Sequence, residues 1–218
     1  NPGCPWGASF SDEQLAANAA ANDAEVERLI ELADRYDDIV FAVAVGNEAT
    51  VDWTDHLVPL PRMFRHVRRV KERVAQPVTF CENHVPWRHD LRELAAELDF
   101  ISVHSYPVWE CKPVHAALDC TRDDYESVAS LYPGKPVVIS EAGWTTRSNG
   151  RVIAPEHSSE DLQERYYGEL TAWARSAGIL TFVFEAFDEP WKGADDPLEP
   201  EKHWGLFTAD RRPKKAMQ

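Results

Sequence analysis

An α/β fold, a parallel sheet covered by helices, is predicted by two features of this 218-residue chain. Five short apolar runs alternate with five stretches of helical periodicity, and the runs are nearly continuous in apolar residues, as strands buried on both faces are. Each run also stays apolar until its C-terminal end, where polar residues appear: Glu48, Glu82, His104 with Tyr106, Glu141, and Glu185 with Asp188.

Ser11 to Tyr36 reads as the first helix, opened by a capping-box pair, Ser11 with Gln14, and striped by Val26, Leu29, Ile30 and Ala33. Ile39 to Val45 follows as a buried run that closes on Gly46, Asn47 and Glu48. Met63, Val67, Val70 and Val74 mark the second helix, and Pro77 to Cys81 the second strand. Leu91, Leu94, Ala95 and Leu98 predict a shorter helix before the strand Phe100 to Val103. A weaker helix is placed around Asp124 to Tyr132, and Lys135 to Ser140 is a β-branched strand ending at Glu141. A long helix spans about Ser159 to Ala177 with Gly178 as its C-cap, and Ile179 to Phe184 is the last strand. In a closed parallel barrel all five C-terminal ends meet on one face, where active sites sit. The Gly-rich phosphate loop that would mark a nucleotide-binding open sheet is absent: the chain has neither GxGxxG nor GxxxxGK.

The chain's 23 Lys and Arg against 37 Asp and Glu give a net charge of -14, which repels nucleic-acid phosphates and anionic lipid surfaces. No run approaches the roughly 18 apolar residues of a membrane span, and Asn1 is not followed by a signal-peptide pattern. Of the four Cys, Cys111 and Cys120 are close enough on one polar stretch to suggest a local disulfide, while Cys81 lies in an apolar run and reads as a buried thiol. His66 and His89 fall in helical segments and are expected to be exposed.

Cleaving a glycosidic bond needs one carboxylic acid to protonate the leaving oxygen and a second carboxylate to attack or to activate water. Glu48 in Val45-Gly46-Asn47-Glu48 and Glu141 in Val138-Ile139-Ser140-Glu141-Ala142-Gly143-Trp144 are the best pair, since each closes an apolar strand. Asn47 beside the acid is a candidate hydrogen-bond partner for a sugar 2-hydroxyl.

These segments, with HSYP at 104 to 107, FEAFDEPWK at 184 to 192 and HWGLF at 203 to 207, resemble glycoside hydrolase family 17, the β-1,3-glucanases and glucanosyltransferases. The matches run in the family's order from the first strand almost to the end of the chain. The resemblance implies a (β/α)8 barrel acting on β-1,3-glucan with retention of configuration through a covalent glycosyl-enzyme, Glu48 being acid/base after the fourth strand and Glu141 nucleophile after the seventh. The two carboxyls of such a pair are expected roughly 5 to 5.5 Å apart. By position in the family motifs, Glu189, Lys192 and Glu201 support the nucleophile end, and Glu185 and Asp188 share their strand end. His104, Tyr106 and Trp144 become candidates at the cleavage point, and Phe187, Trp191 and Trp204 for the cleft wall. The nucleophile segment departs from the plant endoglucanases, which have SETGWP where this chain has Ala142 and Thr145, and FEAFDEPWK is closer to bacterial and fungal members. Hydrolysis and transfer both stay open. The family also implies an extracellular or periplasmic protein, with a glucan as its partner, no cofactor, and a monomeric state once the barrel is complete.

Mapped onto eight strands, this single catalytic domain holds strands 4 to 8, with the tail of strand 3 expected within Asn1 to Phe10. Roughly another 80 residues are expected to precede it, on the usual size of such barrels, because an open five-stranded piece would leave two apolar sheet edges bare. Two rival readings are weaker. Glu82, His84, His104 and Glu141 could gather a metal, but no HxH, HExxH or CxxC spacing accompanies them. A non-catalytic glucan-binding or scaffold module of a larger extracytoplasmic protein would not need both carboxylates.

Overall fold

The computed structural model describes residues 10–51, 53, 57–110 and 112–218. Its five strands are β1 (Val43–Asn47), β2 (Val78–Asn83), β3 (Ile101–Ser105), β4 (Val137–Ala142) and β5 (Thr181–Val183), in that order across one sheet. β1 pairs with β2, and β4 with β5, in parallel. The helices are α1 (Asp12–Arg35), α2 (Leu60–Lys71), α3 (His84–His89), α4 (Arg92–Glu97), α5 (Val114–Ala129) and α6 (Glu160–Ala177). This is the expected α/β class, and none of these helices is long and apolar enough to cross a membrane. Phe10 apart, the expected strand-3 tail lies outside the described residues. The chain divides into two compact units, residues 1–102 with 131–136, and residues 103–130 with 137–218.

In the first unit α1 begins on the expected capping box, Ser11 accepting from the Gln14 N–H at 3.2 Å and the Gln14 side chain accepting from Ser11 N–H at 2.9 Å. It buries Val26, Ile30 and Ala33, one stripe at helical spacing. α2 buries Met63, Val67 and Val70, and Gly46 lets it approach β1: a Cβ there would stand 3.1 Å from both Met63 Cε and Phe80 Cε2. His66, expected to be exposed, is buried, because it shares the Met63 to Val70 stripe. α3 was not anticipated. It leaves β2 directly, with Asn83 as N-cap accepting from Val85 N–H at 2.9 Å, and it drives Trp87 into the core, where its Nε1 donates to Ser102 O at 3.1 Å.

In the second unit α6 has the predicted ends: Ser159 accepts from Leu162 N–H at 3.2 Å, and Gly178 closes the helix at φ 67°, the left-handed conformation glycine adopts without penalty. α5 starts ten residues before the expected Asp124 and ends at Ala129. Its buried face is Ala117, Thr121, Asp124 and Val128, a helical stripe hidden in the sequence because two of its four positions are polar. The fold satisfies them: Ser105 Oγ lies 2.6 Å from Asp124 Oδ2 and 3.2 Å from Thr121 Oγ1, which is 2.7 Å from the Tyr166 hydroxyl. β5 is shorter than expected, and Leu180 and Phe182 beside and within it are exposed. Cys120 is a free thiol, 3.7 Å from Glu110 Oε2 and pushed up to about 12 by burial and neighbouring carboxylates. Cys111, its expected disulfide partner, lies outside the described residues.

Candidate active site

In the first unit the chain leaves β1 through Asn47, which is exposed, and Glu48, which is partly buried. Glu48 has φ 44°, a left-handed backbone that costs a non-glycine residue roughly 1–3 kcal/mol and persists only where neighbours impose it. Three successive residues are tied down. Glu48 N–H donates to Cys81 O at 2.9 Å, Ala49 O accepts from Val58 N–H at 2.7 Å, and Thr50 donates to Glu82 Oε2 from both its backbone N–H (2.9 Å) and its hydroxyl (2.6 Å). Glu82 itself is fully buried, and its Oε1 accepts from Asn83 N–H at 2.7 Å. Burial pushes its carboxyl upward and the charge of Glu48 adds to this, against the bonds from Thr50 and Asn83. With both oxygens occupied by donors, Glu82 is poorly suited to the metal-ligand role considered above.

In the second unit Glu141 lies within β4, one residue before its end, so its backbone is held by the strand. The Tyr106 hydroxyl donates to Glu141 Oε2, and the fully buried His104 places Nε2 3.5 Å from Oε1. Tyr106 is in turn set by rings, edge-on to Trp204 at 5.2 Å, Phe184 at 5.8 Å and His104 at 6.5 Å. Gly143 permits the close approach behind the carboxylate, since a Cβ there would overlap Phe184 O at 1.9 Å.

The Phe184–Glu185 peptide, which is cis, leads into a second cluster. Lys192 Nζ lies 3.6 Å from Glu189 Oε2, 3.4 Å from Glu201 Oε2 and 4.2 Å from the Phe184 ring centre. Glu185 completes it: burial raises its carboxyl to about 7, Lys192 opposes the shift, and Glu189 and Glu201 reinforce it. Its Oε1 is buried with no hydrogen-bond partner among the described residues. Trp191 is 76% exposed, and Phe187 is exposed with Phe207 at 5.7 Å and Arg211 over its ring.

Three of the expected site residues make close contacts within the protein. Trp144 is core, not surface: it is 1% exposed, tilted against Tyr166, with Nε1 donating to His157 O at 2.9 Å. Trp204 is likewise 1% exposed and packs edge-on against Tyr106. Asp188 turns away from the cluster into an ion pair with buried Lys214 at 2.7 Å, while accepting from Gly205 N–H at 3.0 Å. Lys214, which also donates to Thr146 Oγ1 at 2.9 Å, was not anticipated; nothing in Pro213-Lys214-Lys215 marks which lysine is buried.

Residues 8–205 match the family model described as the BtgE/BtgC glycoside hydrolase domain. A glucan 1,3-beta-glucosidase of Arthroderma benhamiae is 26% identical over 202 residues, 88% of this chain and 65% of that protein. Among solved structures, an endo-laminarinase from Formosa superposes with TM-score 0.77 at 28% identity, covering 89% of this chain and 61% of that one. A glycoside hydrolase family 17 β-1,3-glucanosyltransferase from Rhizomucor miehei superposes with TM-score 0.76 at 26% identity, covering 90% and 71%. The chain thus spans just under two thirds of the length of the first of these relatives.

Proposed function

Since the chain belongs to the BtgE/BtgC glycoside hydrolase domain family, we propose that it is the catalytic part of a retaining glycosidase or transglycosylase acting on β-1,3-glucan. The observation that supports this most directly is Glu141: a carboxylate on a strand, with a tyrosine hydroxyl on one oxygen and a buried histidine at the other. Such a group is oriented before substrate arrives, which is what a nucleophile requires.

In the proposed sequence Glu48, protonated, donates to the leaving sugar oxygen as Glu141 Oε attacks the anomeric carbon, breaking the glycosidic bond and forming a glycosyl ester. Glu48, now a carboxylate, removes a proton from water or from a sugar hydroxyl, which attacks the same carbon and releases Glu141. Positioned proton transfer of this kind contributes about 10²–10⁴-fold. Asn47, next to Glu48, is assigned to a sugar hydroxyl. Glu185, Glu189, Lys192 and Glu201 hold a mixed-charge cluster that positions polar groups of the sugar, and exposed Trp191 and Phe187 offer ring faces for stacking.

The eight-stranded barrel is also a proposal, in which the five strands stand as its fourth to eighth and the protein acts outside the cytoplasm as a monomer. Exposed Ile39 and Phe41 ahead of β1, and exposed Leu180 and Phe182 at β5, are the apolar surface that further strands would cover.

The test is the product profile of a defined β-1,3-gluco-oligosaccharide at millimolar concentration, incubated with the full-length protein and read by mass spectrometry. Shorter products alone identify water as the acceptor, and products longer than the substrate identify a sugar hydroxyl. An unchanged substrate that still binds would refute the catalytic reading in favour of a binding module.

A further inference from the structure

Glu82 is a fully buried carboxylate to which the proposed chemistry gives no task. It is the penultimate residue of β2, and both of its oxygens are hydrogen-bonded: Oε1 accepts from Asn83 N–H at 2.7 Å, and Oε2 from Thr50 N–H at 2.9 Å and Thr50 Oγ1 at 2.6 Å. Thr50 is two residues beyond Glu48, on the turn where Glu48 adopts its left-handed φ of 44°. Glu48 N–H is meanwhile bound to Cys81 O at 2.9 Å, so the end of β2 grips the turn on both sides of Glu48.

From this geometry we infer that Glu82 is a positioning residue for the proposed acid/base, acting through Thr50 to hold the backbone conformation from which Glu48 presents its carboxyl. The inference rests on the reading of Glu48 as acid/base. A purely structural buried glutamate would be expected to anchor regular elements. Glu82 instead spends one oxygen, with two donors, on a single threonine of an irregular turn. Contacts of this kind are what a disfavoured φ needs in order to persist.

The experiment exploits leaving-group chemistry in the full-length enzyme. A β-1,3-glucan oligosaccharide departs as an alkoxide unless it is protonated, whereas a dinitrophenyl glycoside of the same sugar needs no proton. Because kcat/KM reports only the steps through formation of the glycosyl-enzyme, a misplaced acid lowers it for the first substrate and spares the second. Glu82→Gln and Thr50→Val are compared with Thr50→Ser, which keeps the hydroxyl; Thr50→Val serves if the buried Glu82→Gln protein fails to fold. The expected result is a fall of about tenfold or more on the oligosaccharide, a change within about twofold on the dinitrophenyl glycoside, and near-complete recovery in Thr50→Ser. Equal losses on both substrates, or none on either, would overturn the inference. Glu48→Gln is run alongside: if it retains wild-type kcat/KM on the oligosaccharide, the acid/base assignment itself fails, whereas a selective loss in Glu48→Gln without one in Thr50→Val defeats the Glu82 inference alone.

Discussion

Glu48 and Glu141 lie at strand ends in the two compact units, and the contacts that define each are of different kinds. Glu141 stands inside β4, where the pairing with β5 shifts register between Ile139 and Ala142, and its carboxylate is fixed from the side-chain end by Tyr106 and His104. Glu48 stands just past β1 with a left-handed backbone, and the turn around it is fixed through Cys81, Val58 and Glu82. A nucleophile has to present one oxygen along a single line of attack, which favours gripping the carboxylate itself. In the proposed roles, an acid/base is served by a turn that sets where its carboxyl stands.

The comparison is tested most strongly by removing each carboxyl's chemistry. Glu141→Gln is expected to lose at least about 10³-fold in kcat/KM on every substrate, activated or not. Glu48→Gln is expected to lose about 10²–10⁴-fold on an oligosaccharide and little on a dinitrophenyl glycoside. Steady-state kinetics on both substrates separates the two, and an exchange of phenotypes would reverse the assignments.

The next effect concerns a strut of the nucleophile's unit. Lys214 is 3% exposed, and its pair with Asp188 joins the segment bearing Glu189 and Lys192 to the backbone at His203 and Gly205. Lys214→Met leaves Asp188 without its cation, which costs about 3–5 kcal/mol when a buried pair is broken on one side. For a chain of this size that corresponds to a Tm lower by roughly 10 °C, measured by calorimetry. Lys215→Met serves as the control: Lys215 pairs with exposed Asp161 at the surface and should move Tm little.

These two lysines also show where the sequence stops being informative. The strands, the α1 and α6 caps and the carboxylates at strand ends were legible because each is written in neighbouring residues: a period, a cap, a polar residue closing an apolar run. So was the grouping of Glu189, Lys192 and Glu201, though only through resemblance to a family motif. Nothing local distinguishes Lys214 from Lys215, or tells that Asp188 turns inward while Glu189, one residue on, meets Lys192. The face of α5 stayed hidden because Thr121 and Asp124 become core residues only once Ser105 and Tyr166 bind them. The burial of Trp144 is not legible either, because a tryptophan's packing and stacking roles look alike in sequence. The left-handed Glu48 and the burial of Glu82 are likewise tertiary facts.

Tyr106→Phe probes the grip on Glu141 with a smaller change. It deletes one hydroxyl and leaves the ring packed on Trp204 and Phe184. A hydrogen bond to a charged group contributes about 1.5–3 kcal/mol, so kcat should fall about tenfold to a hundredfold and Tm by roughly 3–10 °C. If KM rises and kcat is unaltered, the hydroxyl serves sugar binding and not the orientation of Glu141.

The smallest effect isolates the charge cluster around Lys192. Glu185 has its carboxyl raised to about 7 by burial, partly countered by Lys192 and reinforced by Glu189 and Glu201. In the unfolded chain it ionises near the ordinary glutamate value, so between about pH 4.5 and 7 the unfolded state has given up this proton while the folded state retains it. Stability contributed by the protonated form is therefore fully present below about pH 4.5 and is lost as pH rises through 7. Glu185→Gln keeps the neutral shape without the titration. Relative to the parent, the variant's Tm should match at pH 4.5 and exceed it by about 2–4 °C at pH 8, the shift being limited by partial exposure of the site. A Tm difference that does not change with pH would mean that Lys192 neutralises Glu185 in the folded protein, and that the three carboxylates share its charge instead of one of them holding a proton.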